Sequence, residues 1–487
     1  MSVDAPARRE LPAPQPVGAF PFPVGLLLVP AGLGHLSVAN ALSAGRLPES
    51  WPVTLEPLRL AHEGDLDAAL GLLRESTDAV SAYNAWVLDP ATAHWSDVRS
   101  ALPTTHAPLV DVVAWTTGQV DHLGEVQPDA TAPEVLALVH TARSAAALDA
   151  DQPVAAQRAL REARAAALDA GLPVLAATVE VSLSSMLLEG TVAPDQSVGC
   201  ARDLLVGAHE ALRDTDLAAT RAEVLLGLGS LAQEEAAAGN GDARALLHEA
   251  ARHYYDALQL VGEEDEPVLW ARLQLNLAAA HLAVPMTTAS DQLRVGIAAQ
   301  ALRAARRVLD VGAHPGPWST ATINLANALV YTPSTHQGDN LVEAVELYEE
   351  VLASGVRDGD PLGRARLLAN LGNALAHLGI FDHARARLVE ARFVFEEHLD
   401  HDGAHTVRAV LDEVAKAELA ASGVRSPGPE QDADLARQAE QLSRMPGSTV
   451  FTSGMGVQVL DVDAAPPPKP RITVVPPSSR PTGLEQA

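Results

Sequence analysis

The feature of this sequence that most constrains its fold is an internal repeat marked by proline and asparagine. Three segments, "PVLWARLQLNLAAAHL", "PGPWSTATINLANALV" and "PLGRARLLANLGNALAHLG", each place a proline nine residues before an asparagine. The pairs are Pro267 and Asn276, Pro315 and Asn324, and Pro361 and Asn370, with Gly227 at the asparagine position of a weaker fourth copy. Successive copies are 49, 48 and 46 residues apart, a period typical of stacked helical hairpins. One hairpin cannot bury its apolar face alone, so neighbouring copies must stack.

Composition indicates helix almost throughout the chain. Hydrophobic residues make up 47% of the 487 residues but aromatic residues only 3%, and alanine, leucine, arginine and glutamate are abundant. These residue types favour helix. Strand-forming clusters are almost confined to the C-terminal tail. We therefore predict an all-α fold, a solenoid of about five to seven helical hairpins.

The charge balance narrows the range of partners. The chain has 34 lysine and arginine residues against 62 aspartate and glutamate residues, a net charge of −28. Proteins that bind nucleic acid present a basic face, so we expect no nucleic-acid partner. The apolar run "FPFPVGLLLVPAGLGHL" is too short and too broken by proline to span a bilayer, and no signal-peptide pattern surrounds it. We expect a cytoplasmic protein without membrane insertion.

The chain is predicted to have four regions. They are a proline-rich N-terminal segment (1–50), an N-terminal helical block (51–140), the repeat solenoid (141–445) and a proline-rich, β-prone C-terminal tail (446–487). We expect residues 1–24 to form an unstructured lead-in. The tail could form a small hairpin on the solenoid end, or a flexible segment that becomes a strand on binding, and composition does not decide between them.

The segment "LGNALAHLGIFDHARARLVEA" resembles a tetratricopeptide repeat. The residues that carry the resemblance are Leu371, Gly372, Leu375, Gly379, Phe381, Ala384, Leu388 and Ala391. In this pattern Gly372 and Ala384 allow two helix backbones to approach closely, while the larger apolar side chains fill the layers between them.

The resemblance covers residues 366–395 well and residues 267–285 and 315–352 in part. It implies a right-handed superhelix of helical hairpins whose first helices line a concave groove. The period here is longer than the usual 34 residues of this family. The family's closing proline is also missing, because Glu396 stands at that position.

Polar residues recur on one face of the predicted first helices. The candidate groove residues are Arg272, Asn276, Thr320, Asn324, Asn327, Arg366, Asn370 and Asn373. At about 100° per residue, the three in the last copy lie within about 60° of one another. The resemblance implies that such asparagines hold the backbone of a bound peptide, and asparagine suits this role because it offers one acceptor and two donors. The alternative is that they cap loops or bridge adjacent helices within the stack.

No motif for catalysis is present. Neither lysine, Lys416 or Lys469, belongs to a glycine-rich phosphate loop, and no His-Glu-x-x-His pair or nucleophile elbow occurs. The single cysteine, Cys200, excludes an intramolecular disulfide, and we expect it to be a small buried helix residue. We predict no catalytic residue, no metal and no cofactor.

One histidine cluster is the strongest metal-site candidate. Within "EEHLDHDGAH", three imidazoles, His398, His401 and His405, lie among carboxylates and could bind a divalent metal. The favoured interpretation is that Gly403 ends a helix there and that the histidines interact with the helix dipole.

These observations favour a non-enzymatic scaffold, adaptor or assembly chaperone that binds a protein partner or an extended peptide in its groove. Two other functions stay open. One is an assembly or maturation factor for a larger metalloenzyme complex, and the other is a regulator that senses a small ligand or a peptide. The sequence identifies neither the partner nor the oligomeric state.

Overall fold

A computed structural model describes residues 10–188, 197–284, 291–331 and 336–421. Within those ranges the chain forms nineteen α-helices and four two-residue strands. The predicted β-prone tail, 446–487, lies outside the described residues. The chain divides into two compact units, which meet in sequence between Leu228 and Gly229. None of the described helices combines the length and the apolar character needed to cross a membrane.

The first unit begins with four short strands in two antiparallel pairs. The strands are β1 (Glu10–Leu11), β2 (Gln15–Pro16), β3 (Leu28–Val29) and β4 (Gly32–Leu33). Strand β1 pairs with β4 and β2 pairs with β3, so the segment folds back on itself. Eleven helices begin in this unit, and the last of them continues past the boundary: α1 (His35–Ser43), α2 (Glu56–His62), α3 (Leu66–Arg74), α4 (Ala79–Leu88), α5 (Trp95–Ala101), α6 (Pro108–Thr116), α7 (Pro133–Asp149), α8 (Pro153–Asp169), α9 (Pro173–Leu188), α10 (Ser197–Leu212) and α11 (Ala218–Ala237).

The expectation that residues 1–24 are unstructured is wrong for residues 10–24, because β1 and β2 lie there, paired with β4 and β3, and helices further along the chain bind residues between 14 and 28. The side chain of Asn84 on α4 accepts a hydrogen bond from the Leu28 amide and donates one to the Leu28 carbonyl, each at 2.8 Å. The Tyr83 hydroxyl donates to the Leu26 carbonyl at 2.8 Å, and Nε2 of His106 lies 2.8 Å from the Pro14 carbonyl oxygen. Local composition cannot predict contacts between residues that are so far apart in the sequence.

The second unit continues from Gly229 with eight further helices. They are α12 (Ala243–Leu258), α13 (Pro267–Ala283), α14 (Asp291–Val308), α15 (Pro315–Tyr331), α16 (Gln337–Ser354), α17 (Pro361–His377), α18 (Phe381–Glu397) and α19 (His401–Ala421). Consecutive helices pack as antiparallel hairpins, most extensively α13 with α14, α15 with α16 and α17 with α18. The first helices α13, α15 and α17 also pack against one another in order.

The predicted repeat is confirmed by where these first helices begin. Helices α13, α15 and α17 start at Pro267, Pro315 and Pro361. Proline is favoured in the first turn, because its fixed φ suits a helix and its missing N–H group would have no intrahelical partner there. The chain is therefore a TPR-like helical repeat protein with an all-α architecture.

The predicted close crossing of α17 and α18 is also confirmed. A Cβ atom added to Gly372 would lie 2.7 Å from Cγ of Leu388 and 3.1 Å from the carbonyl oxygen of Ala384. Ala384 and Leu388 are both fully buried. Gly379 forms the turn between the two helices with a φ of 76°, a conformation that favours glycine.

Two smaller expectations are wrong. Cys200 is exposed, because α10 buries the stripe of Ala201, Leu205, Ala208 and Leu212, and Cys200 lies beside that stripe. Gly403 does not end a helix but lies inside α19. A Cβ atom there would come within 2.7 Å of the Phe395 ring, so its small size serves packing.

Candidate protein-binding face

The eight candidate groove residues all lie on the first helices of the second unit. We call the surface they share the asparagine face: Arg272 and Asn276 on α13, Thr320, Asn324 and Asn327 on α15, and Arg366, Asn370 and Asn373 on α17. Arg272 is exposed, Asn324 and Asn373 are buried, and the other five are half-buried. The structure thus places asparagine amides on all three helices of this face and an arginine on each of the two outer ones, α13 and α17.

Two of the asparagines bind each other across neighbouring repeats. Oδ1 of Asn327 accepts a hydrogen bond from Nδ2 of Asn370 at 3.1 Å. The same oxygen accepts a second hydrogen bond from the Tyr348 hydroxyl on α16 at 2.6 Å. We call this trio the amide bridge. It joins α15, α16 and α17 through a single acceptor atom.

The tyrosine of the amide bridge is a neutral donor. Tyr348 is 1% exposed, and burial, together with the neighbouring Tyr331, raises its pKa well above the usual value. Burial also raises the pKa of Tyr331 to about 12. Because the phenol keeps its proton at neutral pH, the Tyr348 hydroxyl donates and leaves Asn327 Oδ1 as the acceptor.

The other two central asparagines are buried without a side-chain partner. Asn324 is 5% exposed and Asn373 is 7% exposed. Among the described residues neither side chain makes a hydrogen bond, yet neither amide is fully enclosed. Each lies three positions from a member of the amide bridge, Asn324 from Asn327 and Asn373 from Asn370, which is close to one turn of the same helix.

The side of α15 that lies opposite the asparagine face also makes hydrogen bonds to its neighbours. Nε of Arg306 on α14 donates to the Thr322 hydroxyl at 3.3 Å, while its Nη2 donates to Glu350 on α16 at 2.6 Å. Nε of Arg357 donates to the Ser319 hydroxyl at 3.2 Å. Ser319 and Thr322 are fully buried. These contacts restrict the position of α15 without using any residue of the asparagine face.

Sequence reasoning did not identify the tyrosine partners of the amides. Tyr348 lies 21 residues after Asn327, and Tyr254 donates to Gln233 over the same spacing of 21 residues. Both tyrosines are fully buried in second helices, where packing alone accounts for an aromatic side chain. The repeated spacing of an amide and a tyrosine was the available signal.

The three histidines of this cluster lie in the turn after α18, at His398, and on α19, at His401 and His405. His398, His401 and His405 are all exposed, and Nδ1 of His398 lies 3.0 Å from the Val394 carbonyl oxygen. In the part of the chain that the structure describes, no three histidine, cysteine, aspartate or glutamate side chains are grouped as metal ligands.

The geometry brings amides, not acid–base groups, to the asparagine face, which can therefore donate and accept hydrogen bonds to a bound chain.

Two solved structures are similar to this chain at low sequence identity. No protein-family model matches the sequence, and no curated protein matches it. The chain is similar to the structure of a Rap protein complexed with Competence and Sporulation Factor, with a TM-score of 0.41, 10% identity, and coverage of 72% of this chain and 98% of that chain. It is also similar to aspartyl phosphate phosphatase F from Bacillus subtilis, with a TM-score of 0.36, 11% identity, and coverage of 76% and 96%. Scores this low assign no function, and the fold assignment stands on the helix hairpins themselves.

Proposed function

We propose that this chain is a non-enzymatic scaffold or adaptor that binds an extended segment of a protein partner on the asparagine face. The observation that carries the proposal is that Asn324 and Asn373 are buried and that, among the described residues, neither side-chain amide makes a hydrogen bond. Because neither amide is fully enclosed, its donor and its acceptor remain available to a bound chain, and polar groups that a partner covers are normally hydrogen-bonded. A peptide unit would supply one acceptor and one donor to each amide.

The chain itself contains an example of this recognition. On α4, the buried side chain of Asn84 binds both the N–H and the C=O of Leu28, which lies in the extended strand β3. A helix-borne asparagine in this protein therefore does hold an extended backbone. Main-chain recognition of this kind sets few demands on the side chains of the bound segment.

The test uses a defined probe, a phage-displayed library of linear heptapeptides selected on the purified full-length chain. Peptides enriched on the wild type should bind the double variant N324A/N373A at least tenfold more weakly, because each lost hydrogen bond costs about 0.5 to 1.5 kcal/mol and a factor of ten is about 1.4 kcal/mol. Affinity is measured by fluorescence anisotropy of labelled synthetic peptides.

A matched control separates binding from folding. Asn40 is an exposed asparagine on α1 in the first unit, and N40A should bind the peptides like the wild type. The double variant should keep its thermal unfolding temperature, because alanine is the better helix former and neither amide has a hydrogen-bond partner in the described part of the chain. Equal peptide affinity for the double variant and the wild type would reject the asparagine face as the binding surface.

A further inference from the structure

We infer that the four central asparagines have two different roles, and this inference rests on the proposed function. Asn324 and Asn373 contact the bound backbone, while Asn327 and Asn370 are positioning residues that set the distance between those contacts. The division follows from the hydrogen bonds, because the amide bridge engages Asn327 and Asn370 whereas Asn324 and Asn373 are buried and unpartnered among the described residues.

The geometry indicates how much peptide the site holds. The Asn327–Asn370 hydrogen bond places these two residues at a similar level on α15 and α17. The two helices run in the same direction, because each packs with α16 as consecutive members of antiparallel hairpins. Asn324 then lies about 4.5 Å below that level and Asn373 about 4.5 Å above it, at 1.5 Å per residue. Helices that pack directly are about 8 to 10 Å apart, so the two contacts are separated by about 13 Å along a diagonal. An extended chain covers this distance in about four residues, at 3.3 to 3.6 Å each.

The positioning role and the contact role depend on different atoms of the asparagine side chain. Within the described contacts, Asn327 acts only through Oδ1, as an acceptor for Tyr348 and Asn370. An aspartate at position 327 would still accept both hydrogen bonds. At positions 324 and 373, binding of a peptide unit needs the Nδ2 donor, which aspartate lacks. The same substitution is therefore expected to have opposite consequences at neighbouring positions.

The test compares the single variants N324D, N373D and N327D, with the selected heptapeptides as the probe. We expect N324D and N373D each to bind at least tenfold more weakly and N327D to bind within about threefold of the wild type, given the cost of an unpaired buried acceptor. The variant N370D should lower the unfolding temperature, since it replaces the donor of the amide bridge with a second acceptor. A general effect of negative charge on the asparagine face would weaken binding equally at all four positions and would overturn the division of roles.

A second arm tests the peptide. Methylation of single backbone nitrogens should abolish binding at two positions about three or four residues apart, whereas alanine at the side chains should be tolerated. Methylation effects at adjacent positions only, or strict dependence on one side chain, would contradict the two-contact geometry. If the four asparagines do not have two different roles, N324A/N373A should still bind the peptides more weakly than the wild type. If N324A/N373A and the wild type bind equally, the proposed function itself is rejected.

Discussion

Replacing Asn84 with alanine should lower the free energy of unfolding by about 2 to 6 kcal/mol, because each buried group left unpaired costs about 1 to 3 kcal/mol. Asn84 is 2% exposed, and its amide satisfies both main-chain groups of Leu28, a residue with no exposed surface. The variant leaves those two groups without partners. Because domains are stable by only about 5 to 15 kcal/mol, a loss of this size would leave the first unit marginal.

Two measurements check this expectation. Urea unfolding followed by circular dichroism gives the change in stability, and hydrogen exchange shows whether the Leu28 amide loses its protection. The control is N40A, which removes an exposed asparagine from α1 and should leave both measurements unchanged. Retained protection of Leu28 in N84A would show that another group holds β3 in place.

Replacing Ala384 with leucine should destabilise the second unit by about 1 to 3 kcal/mol, through overpacking of the α17–α18 crossing. Ala384 has no exposed surface, and its carbonyl oxygen would be 3.1 Å from a Cβ atom at Gly372, so the two backbones are already close. The larger side chain can be accommodated only if the helices separate or neighbouring side chains leave their rotamers.

The matched control lies on the same helix. Ala386 is exposed, so A386L adds the same atoms without entering the crossing. Thermal unfolding of the two variants, compared with the wild type, isolates the packing cost. If A384L and A386L unfolded at the same temperature, the crossing would have enough free space for a leucine, contrary to the geometry around Gly372.

Much of the repeat fold could be predicted from local chemistry. The proline–asparagine repeat predicted the spacing of α13, α15 and α17, and the α17–α18 crossing followed from the pairing of Gly372 with Ala384. These features depend on residues that are close in sequence or repeat at a fixed period, so the sequence pattern records them directly.

The remaining features depend on contacts between distant residues. Asn84 binds Leu28 across 56 positions, and Asn327 binds Asn370 across 43. Helical spacing placed the asparagines on one face, but it could not distinguish those that bind each other from those that lack a partner. In the same way, proline content predicted a disordered lead-in because the helices that hold residues 10–24 lie far along the chain.

The burial of β3 has a consequence for synthesis of the chain. The core that covers Leu28 and Val29 also includes Leu175 and Ala176 of α9. At about 5 to 20 residues per second, translation needs about 7 to 30 seconds to proceed from Val29 to Ala176. During that interval β2 and α4 can already contact β3, but the part of the core that α9 contributes is missing. Ribosome-bound chains stalled after α4 should therefore be cleaved by protease near β3, whereas chains stalled long enough to release α9 should resist, and equal cleavage would show that β3 folds without α9.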